Sequence, residues 1–216
     1  NLRCSVHGDD LTTVGPKDSL DWFKCELEKH YELTEAHRLG PGSRDDKEAR
    51  VLNRIGRWTD NEIEYAADPR QVEKLLRDLR LDDGAKSVST PGVEATREQV
   101  EQEKELDAQK ISPYKASVAR ANYLSADRPD CQFAAKEVCR WMASPTDLSL
   151  RQVKRLGRYL KGKKRLVFAY PWQTVDMIDV YSDTDWAGCA RTRKSTTLRL
   201  APPSDGQHRQ VPSSRA

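Results

Sequence analysis

The residues best suited to chemistry in this chain are carboxylates set close together at turns. Gly8-Asp9-Asp10 places two aspartates side by side between two short apolar runs. Adjacent carboxylates at a strand turn suit a two-metal phosphoryl-transfer site, where two Mg²⁺ ions about 3.5–4 Å apart clamp the attacking and leaving oxygens. Mg²⁺ prefers one or two carboxylates plus substrate phosphates to a full protein cage. Asp-Asp pairs also stand at 45–46 and 82–83 in loop-like sequence, so a solvated turn is the plainer account of any one pair. Asp183 and Asp185 are two residues apart, and along a continuing strand both point to one face. There they can bind metal or simply mark a strand end at the surface. His7 suits a structural place in a strand better than a ligand role.

Phosphate contact is the second chemistry on offer. Residues 151–165 hold eight Lys or Arg and no acid. In a helix, Leu150, Val153, Leu156 and Leu160 fall on one face, and Arg151, Lys154, Arg155, Arg158 and Lys161 fall opposite. Such a basic face either meets nucleic-acid phosphates without sequence preference or is merely solvated. No His-Cys cluster, glycine-rich phosphate loop or Ser/His/Asp grouping stands out. The five cysteines are widely spaced and form no Cys-x-x-Cys pair. That argues against a disulfide framework or a zinc site and favours a reduced compartment, with no disulfide partner.

These groups need elements to position them. Residues 1–15 read as strand, tight turn and strand around Gly8-Asp9-Asp10. Leu20, Phe23 and Leu27 then recur at helical spacing. Residues 40–48 are loop chemistry, and 51–58 with 62–65 predict a hairpin turned at Thr59-Asp60-Asn61. Asp68 is a good N-cap, Pro69 suits the first helical position, and Gln71 completes a capping-box pattern. Val72, Leu75, Leu76 and Leu79 form that helix's apolar stripe, with Asp83-Gly84 as its stop. Residues 84–110 lack periodicity and predict a linker, partly helical in its acidic run. Three helices follow: one capped by Ser112 with Pro113 first, one opening at Pro129, and one capped near Thr146. Strands are predicted at 167–170 and 178–181, the second leading into Ser182-Asp183-Thr184-Asp185-Trp186-Ala187-Gly188.

The 216 residues suffice for one large domain or two small ones. With 33% charged, 37% hydrophobic and 7% aromatic residues, a modest core and at least one disordered stretch are expected. No run of about 18 apolar residues spans a membrane, and no basic n-region precedes an apolar stretch as in a signal peptide. The chain opens on Asn1, which fits a piece of something longer.

The blocks, in their order, resemble one family. Val6-His7-Gly8-Asp9-Asp10-Leu11 resembles the Tyr-x-Asp-Asp motif of reverse transcriptases, with His7 where an aromatic Tyr is usual. Ser87-Val88-Ser89-Thr90-Pro91, Tyr114 to Tyr123, Arg128-Pro129-Asp130 and Lys154-Arg155-Leu156-Gly157-Arg158-Tyr159-Leu160-Lys161-Gly162 follow. Last come Tyr181-Ser182-Asp183-Thr184-Asp185-Trp186-Ala187-Gly188 and Arg193-Lys194-Ser195-Thr196. Together they look like a copia-type retrotransposon Pol polyprotein.

The resemblance implies an α+β fold: a reverse-transcriptase palm remnant with hairpins, a helical thumb or connection region, and the first strand of a ribonuclease H-like sheet. It implies palm over 1–83, linker over 84–110, helical region over 111–170, the start of ribonuclease H over 171–196, and a divergent, disordered tail over 197–216. Asp9 and Asp10 would be polymerase metal carboxylates and Asp183 the first ribonuclease H carboxylate, all serving Mg²⁺. The resemblance sets the third polymerase Asp and the fingers before residue 1. The basic helix would grip an RNA/DNA template–primer duplex beside the rest of the polyprotein, inside the cell in a cytoplasmic particle or the nucleus. The family continues Ser-Gly after Thr196. Here the match stops abruptly, as a shifted reading frame or a mis-called splice junction would make it. The expected function is copying element RNA into DNA, by a fragment inactive alone; the alternative is a non-catalytic nucleic-acid-binding remnant.

Overall fold

The computed structural model describes residues 1–34, 37–81 and 84–173, and the backbone of 183–184, 197–198 and 211–213. Strand β1 (Arg3–His7) pairs antiparallel with β2 (Asp10–Val14), His7 lying opposite Asp10. Gly8 in the intervening turn has φ +63°, a left-handed conformation that glycine adopts without the clash a side chain would bring. Helix α1 (Lys17–Glu28) follows on the expected Leu20, Phe23, Leu27 spacing.

The strand predicted over 51–58 is instead a hairpin. Strand β3 (Glu48–Val51) reverses at Leu52-Asn53 and returns as β4 (Arg54–Trp58). Leu52 and Asn53 have φ +48° and +62°, the type I′ pattern whose twist matches that of the flanking strands. Asn tolerates that region and Leu does not, so the reversal leaves little trace in the sequence. Strand β4 turns at 59–61, as expected, into β5 (Glu62–Ala67).

Helix α2 (Pro69–Asp78) has Asp68 as its N-cap, the carboxylate accepting from the Arg70 N–H at 3.0 Å. Gln71 closes no capping box. The Asp68 carboxylate is held by the Arg50 and Arg70 guanidiniums, while Gln71 Oε1 lies 3.4 Å from Arg120. The helix also ends before Asp83-Gly84. Arg80 takes φ +56°, its N–H reaches the Arg77 carbonyl, and the Leu81 N–H reaches the Leu76 carbonyl, both at 2.9 Å. This is a Schellman ending with arginine where glycine is usual, and buried Leu81 supplies its apolar contact.

The predicted linker carries helix α3 (Arg97–Glu101), closed by a Thr96–Gln99 capping box, and buries Leu106. Helix α4 (Ala108–Ser125) begins at Asp107 rather than Ser112, so Pro113 lies inside it. The added turn brings Ile111 against the core, and Pro113, past the first turn, forgoes the one N–H bond it would make to the Gln109 carbonyl. Helices α5 (Pro129–Cys139) and α6 (Asp147–Gly162) start where predicted, α6 with a reciprocal Thr146–Ser149 box. Strand β6 (Val167–Pro171) pairs with β5.

Three further short strands are β7 (Asp183–Thr184), β8 (Thr197–Leu198) and β9 (Val211–Ser213). Strand β7 pairs with β8, and β9 completes an antiparallel sheet of order β3-β4-β5-β6-β9. Pro212 thus occupies an edge strand, where its missing donor is tolerated. The tail expected to be disordered contributes β8 and β9; the rest of 197–216 and the strand predicted at 178–181 lie outside the described residues.

One apolar cluster joins α2, α4, α5 and α6. Val72 and Leu75 meet Val118, Leu124, Val138, Val153 and Leu156, all at most 2% exposed. The architecture is α+β, as expected. Glycine lets α6 approach closely: a Cβ on Gly157 would lie 2.7 Å from Leu81 and 2.8 Å from Leu79 side-chain carbons.

Two substitutions test these local readings by thermal and urea unfolding. Arg80→Gly relieves a left-handed side chain and should stabilise the fold by about 1 kcal/mol. Gly157→Val overpacks the α6–Leu81 contact and should cost about 1–3 kcal/mol. Arg80→Gly lowering stability would refute the Schellman reading, and a neutral Gly157→Val would refute the close approach.

Candidate nucleic-acid interface and carboxylates

Asp127-Arg128-Pro129-Asp130 forms the turn between α4 and α5, with Pro129 fixing the first residue of α5. Arg128 is 1% exposed. Its Nε and Nη2 donate to the two Asp130 oxygens at 2.9 and 2.8 Å, a bidentate pair matching the planar fork. Tyr159 on α6 donates its hydroxyl to Asp130 Oδ2 at 2.8 Å, and Arg128 Nη1 makes a long 3.5 Å contact to the Lys164 carbonyl. Asp127, also buried, accepts from Arg54 Nε at 2.8 Å and from the Tyr65 hydroxyl at 2.6 Å. One turn therefore ties α5, α6 and the loop after α6 to strands β4 and β5.

Burial pushes the Asp130 carboxyl up, but the Arg128 guanidinium and the Tyr159 hydroxyl outweigh it and hold it below the usual carboxylate range. Burial, with Asp130 as acceptor, pushes the Tyr159 hydroxyl up to about 12. Burial likewise raises the Cys131 thiol to about 12, which makes it an inert core group. Tyr65 is raised by burial and by Asp127. The shifts favour Asp130 as the carboxylate and Tyr65, Cys131 and Tyr159 in their neutral forms.

The basic face of α6 is not an open ridge. Arg155 Nη2 donates to Thr90 Oγ1 at 2.8 Å, Arg158 Nε to the Lys86 carbonyl at 2.7 Å, and Lys161 Nζ to the Leu81 carbonyl at 2.9 Å. Arg151 pairs with Asp147 one turn earlier at 2.7 Å, and Lys154 is exposed. Three of the five predicted bases thus hold down Leu81, Lys86 and Thr90, and residues 84–90 have no regular structure of their own to satisfy their polar groups. The next three bases, Lys163, Lys164 and Arg165, are exposed. They belong to the same basic run but were not among the residues selected from the sequence, because they fall past the helix whose periodicity guided that choice.

Asp9 and Asp10 sit at the exposed β1–β2 turn. Asp183 starts β7, and its side chain lies outside the described residues, as do Ser182 and Asp185 to Gly188. Among the described residues no three His, Cys, Asp or Glu side chains come together to hold a metal. No helix among them is long and apolar enough to cross a membrane. Cys4, Cys25, Cys131 and Cys139 are free.

The buried pair sets a stability test. Arg128→Ala leaves Asp130 without its partner and should cost on the order of 3 kcal/mol. The Asp130 carboxyl is depressed, so its contribution is full above the unfolded carboxylate range near pH 4 and is lost as pH falls through its lower folded value. Wild-type unfolding temperature should drop steeply below about pH 4, and Asp130→Asn should flatten that drop. Equal acid sensitivity in the two proteins would remove Asp130 from the account.

No protein-family model matches the chain, and no solved structure does. Over 133 residues it is 30% identical to an uncharacterized mitochondrial protein of Arabidopsis thaliana, covering 62% of this chain and 54% of that protein. Over 76 residues it is 36% identical to the retrovirus-related Pol polyprotein from transposon RE1 of the same plant, covering 35% of this chain and 5% of the polyprotein. The corresponding polyprotein from transposon RE2 matches to the same extent. The chain thus spans about half the length of the first relative and a twentieth of the polyproteins. Its similarity to these proteins supports an origin in a retrotransposon Pol polyprotein.

Proposed function

We propose that the chain is the end of a reverse-transcriptase palm, a helical thumb or connection region and the start of a ribonuclease H-like domain, within a polyprotein that copies element RNA into DNA. The observation that carries this reading is the similarity to two transposon Pol polyproteins. The β1–β2 hairpin supports it, since its turn exposes Asp9 and Asp10 to whatever approaches. In this reading both belong to a Mg²⁺-dependent polymerase centre, with Asp183 in the ribonuclease H centre. Carboxylates from outside the described residues complete the polymerase centre, and the helical region holds an RNA/DNA template–primer duplex. Metal charge and positioning supply most of the catalysis in phosphoryl transfer, so a chain with only part of the carboxylate set is inert alone.

The second reading is a non-catalytic nucleic-acid-binding remnant. Primer extension separates the two. The isolated chain should extend no primer with Mg²⁺ or Mn²⁺, whereas the full polyprotein should, and Asp9→Asn with Asp10→Asn in the polyprotein should reduce extension to background. Extension that survives the double substitution would overturn the catalytic assignment. Extension by the isolated chain, abolished by the same pair, would overturn its dependence on other carboxylates.

A further inference from the structure

We infer that nucleic-acid phosphates are met by the loop Lys163-Lys164-Arg165 after α6, and not by the basic face of the helix itself. The inference rests on the duplex-holding part of the proposed function and names the residues that do the holding.

Four of the five bases on the helix face are already engaged, and Lys154 is exposed. Arg155, Arg158 and Lys161 donate to Thr90, Lys86 and Leu81, and Arg151 pairs with Asp147. A phosphate on those three residues would have to compete with hydrogen bonds that hold the 81–90 segment in place. The loop faces no such competition. Lys163, Lys164 and Arg165 are exposed along a cleft between the end of α6 and strands β5 and β6.

Five cations and three acids line this cleft: Arg57, Arg128, Lys163, Lys164 and Arg165 against Glu62, Glu64 and Asp130. Arg57 is bound by Glu48 and Glu64, and Arg128 by Asp130. With these pairs set aside, the cleft lining holds three loop cations and Glu62, a surplus of positive charge in a concave site. Anions are attracted to such a surplus, and each phosphate neutralised releases a condensed counterion.

The loop is also held in place, which distinguishes it from an ordinary solvated run. The Lys163 N–H bonds back to the Tyr159 and Leu160 carbonyls, and its ammonium lies 5.4 Å from the Tyr159 ring centre. The Lys164 carbonyl faces buried Arg128, and three residues later the chain enters β6, fixed against β5. The backbone that presents the three charges is thus positioned by the same Arg128–Asp130–Tyr159 cluster that docks α5 on α6. Side chains on a fixed backbone lose less freedom when they bind a phosphate.

The test is a salt titration of the full chain with a short B-form DNA duplex, followed by fluorescence anisotropy. Replacing Lys163, Lys164 and Arg165 by Gln should flatten the slope of log K against log salt by about 2–3 units, at about 0.9 per phosphate contact. Unfolding temperature should stay near the wild-type value. Replacing Arg155, Arg158 and Lys161 by Gln should leave the slope within about one unit of wild type and lower the unfolding temperature as the 81–90 segment loosens. An unchanged slope in the loop variant, or an equal flattening in the helix variant, overturns the inference while duplex binding stands. Absence of duplex binding by the wild-type chain at low salt overturns the duplex reading itself. Tight binding to anionic lipid vesicles with none to duplex would assign the loop to a different partner, and would also overturn it.

Discussion

A guanidinium removed from water is costly unless every donor meets an acceptor in a fixed place, and Arg128 imposes that constraint on the rest of the molecule. Its bidentate partner Asp130 is on α5, the hydroxyl that shares Asp130 is on α6, and its remaining contact is to the loop leading into β6. None of these can slide without stranding a buried charge. Asp127, the neighbouring residue, binds β4 and β5 through Arg54 and Tyr65. A buried ion pair adds little net stability over an apolar pair of the same shape, but its geometry is far less forgiving. Apolar contacts among α2, α4, α5 and α6 supply the drive to collapse. The Asp127–Asp130 turn selects the arrangement in which helices and sheet meet.

Helix α6 shows how charge can be used structurally. Its apolar stripe is core, as its spacing predicts. Its opposite flank runs beside residues 84–90, which have no ladder or helix to satisfy their carbonyls. Gly157 and Gly162 admit that segment closely, since a Cβ on Gly162 would come within 2.9 Å of the Ser87 Cβ. Long basic side chains then reach over and donate to it, their alkyl stems covering apolar surface on the way. A row of lysines and arginines on a helix is thus compatible with an interior role, provided an irregular segment lies alongside.

Much of this was legible in the sequence where local rules decide the outcome. Pro69, Pro129 and Thr146 mark helix starts because a fixed φ or a capping hydroxyl acts within one turn. The Leu and Val stripes of α2 and α6 mark the core for the same reason. The failures come where tertiary contacts override local preference. Leu52 and Arg80 both adopt left-handed backbone without being glycine, so a hairpin and a helix end went unseen. Pro113 suggested a helix start, yet core contacts of Ile111 extend the helix before it. The Arg128 cluster was visible only as a string of residues. Neither its burial nor its partner Tyr159, 29 residues from Asp130, can be read from spacing. The basic run was found, but which of its members face solvent depends on a segment 65–80 residues away.

The two proposed sites also sit on supports of different firmness. Lys163, Lys164 and Arg165 follow directly from the buried cluster and the central sheet. Asp9 and Asp10 sit on a two-stranded hairpin whose Val6 and Val14 are 66% and 69% exposed, beside an α1 that leaves Trp22 61% exposed. A hairpin of two strands is marginal by itself, and apolar side chains left in water contribute nothing to holding it. Two-metal catalysis demands carboxylates fixed to a fraction of an ångström, which such a hairpin cannot supply from within. Under the proposed reading, the hairpin's exposed apolar side chains, Val6 on one face and Val14 on the other, must be covered by other parts of the polyprotein before its carboxylates can be held. The loop, held between the end of α6 and strand β6, does not depend on such cover. Binding of nucleic acid would therefore survive conditions or fragments in which the polymerase centre cannot assemble, because only one of the two sites draws its rigidity from the described residues.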